Sequence, residues 1–136
     1  MNEVVDWSHE TVLAAEPVSA SKARAFISES LAAHDLHHLV EDVRLVVSEL
    51  ATNAVQHART PFVVTLWATD GVVRLGIRDG SSWPAVRSAS QLTDLGGRGL
   101  VIVEQLSHEW GSSTDDSGSK SVWATFVTRT PPRAHV

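Results

Sequence analysis

Residues 49–58 read Glu-Leu-Ala-Thr-Asn-Ala-Val-Gln-His-Ala, and this short run sets polar groups one helical turn apart inside an apolar stretch. Side chains at i and i+4 share a helix face, so Glu49, Asn53 and His57 form one polar row. The apolar row of Val43, Val46, Val47, Leu50 and Ala54 lies beside it. A carboxylate and an amide flanking a core stripe are costly to bury without partners. Two readings follow. Either this is a solvated helix edge, or Glu49 handles a proton or a water while Asn53 supplies an oxygen to a hard cation. Two later segments decide between them.

Working outward, the bulk composition narrows the field. With 136 residues the chain is long enough for one domain with its own core. We expect a single domain over residues 1–130 and a disordered tail over 131–136, where the sequence is PRAHV after a proline. A hydrophobic content of 43% is that of a globular chain. The formal net charge of −5 argues against sequence-independent nucleic-acid binding, which needs a basic face. Cysteine is absent, which removes disulfides, thiolate metal sites and a cysteine nucleophile. No signal peptide is readable in MNEVVDWSHE, and no apolar run approaches the roughly 20 residues that cross a bilayer. A cytoplasmic protein without membrane or nucleic-acid partners is the expectation.

Local patterns place the elements. Val4 to Leu13 is read as a first strand with weak alternation, and Glu16-Pro17 breaks the chain. Ser19 or Ser21 is the expected N-cap of a helix to about Ala33, whose Ala23, Phe26, Ile27 and Leu31 recur at helical spacing. A polar connector, His34 to His38, leads into a helix of about Val40 to Ala58, ended by Thr60-Pro61. FVVTLWAT and VVRLGIRD then flank Asp70-Gly71, a strong hairpin signal. Carrying the alternation of Val73, Leu75 and Ile77 one step on puts Asp79 on the apolar face, where a carboxylate needs a partner.

Gly80 to Asp94 lacks periodicity and reads as a surface loop long enough for function. Gly96, Gly97 and Gly99 follow, and LVIVEQLSHEWG reads as a helix with Leu100, Val103 and Leu106 on one face. STDDSGSK reads as a turn and SVWATFVT as the closing strand. The order β-α-α-β-β-loop-α-β suggests one sheet with helices on one face, an α/β sandwich.

Glycines that open a helix make a ready anion site, because the first backbone N–H groups are unpaired and glycine lets a phosphate approach the main chain. The stretch is not a P-loop, since Gly-Lys-Ser/Thr is absent. The combination is more specific than its parts. Glu-x-x-x-Asn on a helix, Asp at the end of a later strand, a variable loop and Gly-x-Gly opening a helix resemble the GHKL ATP-binding family. VVSELATNAVQHA, the Asp79 to Pro84 segment and GGRGLVIVEQLSHEWG are most similar to the small bacterial anti-sigma factor serine/threonine kinases of the RsbW type.

That resemblance implies an α+β Bergerat ATP-binding fold, a two-layer sandwich whose mixed, mostly antiparallel sheet carries its helices on one face. It implies ATP and Mg²⁺ as cofactors. Asn53 would bind Mg²⁺, Glu49 would be the general base, and Asp79 would accept a hydrogen bond from the adenine amino group. Gly97, Arg98, Gly99 and Leu100 would lie at the phosphates, with His57 on the continuation of the Glu49–Asn53 face and Ser121 near the adenine. The loop from Gly80 to Leu95 would be the lid. The implied partners are a sigma factor, a STAS-type anti-anti-sigma protein carrying the acceptor serine, and a second copy in a homodimer.

The pattern departs from the family in three places. Asp79-Gly80-Ser81-Ser82-Trp83-Pro84 lacks the usual Asp-x-Gly-x-Gly glycines. Leu95-Gly96 stands where some kinase members carry a lid arginine, with Arg98 and Arg87 as substitutes. Ser119-Lys120-Ser121 replaces a Gly-Thr that helps hold adenine. These departures motivate a second reading, an ATP-sensing interaction module that transfers no phosphate. A third is a detached ATPase-like domain serving a separate histidine-bearing protein. Among other candidates, His34, His37 and His38 read as a solvated helix-end group, and Asp115-Asp116 as turn chemistry. Trp67, Trp110 and Trp123 are expected in the core, and Trp7 and Trp83 at a partner surface or lid.

Overall fold

The computed structural model describes residues 6–80, 101–116 and 118–129. Strand β1 (Trp7–Leu13) leads to helix α1 (Val18–Ala33), and a 3₁₀ turn at His37–Leu39 leads to helix α2 (Val40–Asn53). A π-helical turn, Ala54–Ala58, continues α2. Strands β2 (Phe62–Thr69) and β3 (Val72–Asp79) follow, then helix α3, described over 101–106, and strands β4 (Glu109–Thr114) and β5 (Lys120–Val127). The sheet order is β1-β2-β3-β5-β4, and all four pairings are antiparallel. The described sheet therefore has no parallel pair, against the expectation of a mixed one.

Hydrophobic alternation sets the layers. Phe62, Val64, Leu66 and Ala68 on β2 meet Val73, Leu75 and Ile77 on β3 and Val122, Ala124 and Phe126 on β5, all on one face. Ala23, Ile27 and Leu31 of α1 and Val43, Val46, Val47, Leu50 and Ala51 of α2 close over that face in one apolar cluster. Burying each valine, leucine, isoleucine or phenylalanine contributes about 1.5–3 kcal/mol. At the hairpin tip Asp70 and Gly71 both take positive φ, 51° and 81°, the left-handed pair that a two-residue primed turn requires. The α1 end is closed by Asp35 in the same region (φ 59°), with Leu36 N donating to Leu31 O at 2.9 Å and Asp35 N to Ala32 O at 3.1 Å. This is a Schellman closure, and Leu36 supplies its apolar contact.

Several expectations are corrected. Pro17, not a serine, holds the cap position of α1, and no side chain caps the helix. Ser19 is buried in the first turn and donates its hydroxyl to Ala14 O at 2.6 Å. The expected helix to Gly111 stops near 106, because Glu109–Thr114 forms the edge strand β4. That strand shows no apolar alternation, so periodicity could not reveal it. The turn proper is Asp115–Ser119: Gly118 N donates to Asp115 O, and Ser119 N to Asp115 Oδ1, both at 3.0 Å.

Trp110 packs partly against the core as expected, but Trp67 and Trp123 do not. They lie on the outer face of the sheet, flanking Arg74, whose guanidinium carbon is 5.9 Å and 4.4 Å from the two ring centres. Trp7 stacks on His34 with ring centres 4.1 Å apart and planes 4° from parallel. His34 Nε2 lies 2.8 Å from His9 Nε2, and His38 donates Nε2–H to Thr128 O at 2.6 Å. Of the three helix-end histidines, His37 and His38 are exposed, as the solvated reading expects, with His37 3.4 Å from the Asp35 carboxylate, whereas His34 is half-buried against Trp7. Trp83 lies outside the described residues.

Candidate functional site

The C-terminal turns of α2, the end of β3 and the start of β5 come together at one end of the sandwich. β3 delivers Asp79 and β5 delivers Lys120, and the two are register partners in the antiparallel ladder. The chain leaving α2 is tied to the same place, because Gly80 N donates to Thr60 Oγ1 at 3.1 Å.

Glu49 and Asn53 are half-buried, neither sealed in the core nor fully solvated. They stand one α-turn apart on α2, as the i, i+4 spacing requires. After Asn53 the helix widens to a π-turn, a feature frequent at functional sites. The widening ends at Arg59 in the left-handed region (φ 57°), which turns the chain toward β2. His57 sits within that turn, half-buried. Burial first, and then the positive charges of Lys120 and Arg59, lower its pKa from the ordinary 6.5. It is therefore a neutral imidazole at physiological pH.

Asp79 is buried at the end of β3, on the same face as Val73, Leu75 and Ile77. The strand's period of two carries it there. Ser121 pairs with Arg78 and lies on the outer face, whereas its neighbour Lys120 is buried on the site-facing side. Sequence reasoning passed over Lys120. The alternation of Phe126, Ala124 and Val122, carried back one step, would have placed it inward. Gly97, Arg98, Gly99 and Leu100, and the lid positions from Ser81 to Leu95 with Arg87, lie outside the described residues.

The donor set suits oxygen chemistry. Asn53 offers an amide oxygen and Glu49 a carboxylate, ligand types that match a hard cation such as Mg²⁺. Among the described residues no group of three or more His, Asp or Glu side chains could by itself hold a metal ion. A groove of about 750 Å³ on the helix pair is lined by Arg24, His37, Val40, Glu41, Arg44, Leu45 and Ser48, and is separate from the site.

The profile of the histidine kinase-like ATPase domain matches residues 13–126, from the last residue of β1 to the penultimate residue of β5. The chain belongs to this family. Membership in a histidine kinase-like ATPase family implies ATP binding. Among solved structures, the RsbU and RsbW domains of Rv1364c from Mycobacterium tuberculosis superpose with a TM-score of 0.72 at 24% identity, covering 96% of this chain and 35% of that one. The two share a fold, and this ATPase-family chain spans about a third of that longer protein. No curated protein matches it. Among the described residues of this family member, no helix is long and apolar enough to cross a membrane.

Proposed function

We propose that the chain is an ATP-binding regulatory serine/threonine kinase of the anti-sigma factor type. The observation that carries this reading is Asp79, a carboxylate buried at the end of β3 on the sheet face that α1 and α2 cover. Asp79 accepts a hydrogen bond from the adenine amino group, and a buried acceptor of this kind discriminates strongly against bases that lack the donor. Asn53 would hold Mg²⁺ through its side-chain oxygen, and the ion would supply positive charge at the phosphates. Glu49 takes the proton from a serine hydroxyl as the hydroxyl oxygen attacks the terminal phosphorus and ADP leaves. Neutral His57 adds no charge beside them. The acceptor is a STAS-type anti-anti-sigma protein, the second partner a sigma factor, and the working form a homodimer. Support for these partners is the shared fold with a structure containing an RsbW domain.

A second reading is an ATP-sensing interaction module without phosphoryl transfer. It is favoured by Leu95-Gly96 at the position where some kinase members place an arginine. Calorimetry of ATP with and without Mg²⁺, on the wild type and Asn53→Ala, is the first test. Magnesium-dependent affinity that the variant loses is the expected result; a folded protein that binds no ATP would overturn both readings. Acid-stable phosphate appearing on a STAS-type substrate then separates the kinase from the sensor.

A further inference from the structure

β5 begins with a lysine that faces inward. Lys120 is 8% exposed and is the direct register partner of Asp79, itself 4% exposed. Directly opposed residues on antiparallel strands have Cβ atoms about 4.5–5.5 Å apart. The two side chains therefore leave the same face of the sheet side by side at the strand ends. Lysine is almost never buried this far without a group to serve. The field of Lys120 also reaches His57 across the site, where it lowers that residue's pKa.

The base edge that Asp79 would grip has its own fixed chemistry. In adenine the exocyclic amino group donates, and the adjacent ring nitrogen N1 accepts. One acceptor satisfies the first, and a donor beside it satisfies the second. Lysine carries three donors and no acceptor, and here it stands beside the acceptor. We propose that Lys120 is a specificity-determining residue of the adenine subsite, donating to N1 while Asp79 accepts from the amino group. This assignment rests on the ATP-binding reading above. It makes recognition two-point: a base that offers the wrong group at either position leaves a buried charge unmatched, which is where polar sites discriminate most.

The test is calorimetry with ATP and with 1-deaza-ATP, in which N1 is replaced by C–H. It uses the full chain as wild type, Lys120→Met and Lys120→Arg, each checked for folding by circular dichroism and thermal unfolding. The wild type is expected to bind 1-deaza-ATP at least about tenfold more weakly than ATP, the scale of one hydrogen bond to a charged group. Lys120→Met should bind both nucleotides alike, and Lys120→Arg should recover part of the preference. Equal affinity of the wild type for the two nucleotides would overturn the assignment while leaving ATP binding intact. So would a Lys120→Met variant that weakens both by the same factor, because the lysine would then serve Asp79 or the phosphates alone. If Lys120→Met fails to fold, the wild-type and Lys120→Arg ratios decide. A wild type that binds neither nucleotide removes the ATP reading, and this one with it.

Discussion

Glu49 stands half-buried one turn before Asn53, and under the proposed kinase reading removing its charge separates binding from chemistry. In Glu49→Gln, phosphate transfer to a serine acceptor should fall by about 10²–10⁴-fold, the usual contribution of a general base, while calorimetric ATP affinity changes little. Transfer that persists at the wild-type rate would exclude Glu49 as the base. His57 yields a stability prediction. Its pKa is lowered in the folded chain, by burial first and then by Lys120 and Arg59, so the unfolded chain takes up the proton at higher pH. The stability it contributes is present above pH 6.5 and is lost as pH falls through the folded value. Urea unfolding of His57→Gln below pH 6.5 should therefore decline less steeply than the wild type; parallel curves would show that His57 titrates alike in both states. At this scale the sequence exposed Asp79 through alternation, yet Lys120, readable by the same rule, was obscured because a lysine beside Ser-Gly-Ser resembles a solvated turn.

At the scale of elements, legibility followed periodicity. The hairpin of β2 and β3 was plain, because Asp70-Gly71 supplies both left-handed residues and the flanking runs alternate. The helices α1 and α2 were equally plain. β4 was hidden: its inward and outward positions are nearly all polar, and its pairing comes from β5 rather than from its own pattern. The π-turn after Asn53 has no signature in AVQHA. What does mark β4 is Gly111, opposite Trp123. A Cβ there would lie 2.6 Å from Trp123 Cζ2 and 2.9 Å from Cε2, with the indole already held against Arg74. Gly111→Ala should destabilise the protein by about 1–3 kcal/mol in chemical denaturation, as overpacking does. Gly76→Ala, where nothing lies within 4 Å of the new carbon, should stay within about 0.5 kcal/mol of wild type. If both variants unfold together, the indole moves aside freely and β4 is not wedged in place.

The described residues form a five-stranded sheet with helices on one face, and its order puts β3 at the centre with β1 and β4 at the edges. Amide hydrogen exchange should follow that order. Val73, Leu75 and Ile77 should exchange only through global opening, and the β1 and β4 amides through smaller, local ones. An edge strand as slow as the centre would show that a second chain covers it, which is how a homodimer built on a sheet edge would declare itself. Asp79 ends the central strand, and Lys120 begins the strand beside it. The end of the site that would grip the base is thereby fastened to the part of the molecule slowest to open. Nucleotide residence time is then decoupled from the fraying of the edges: a variant that loosens β1 or β4 lowers the melting temperature but leaves the dissociation rate where it was.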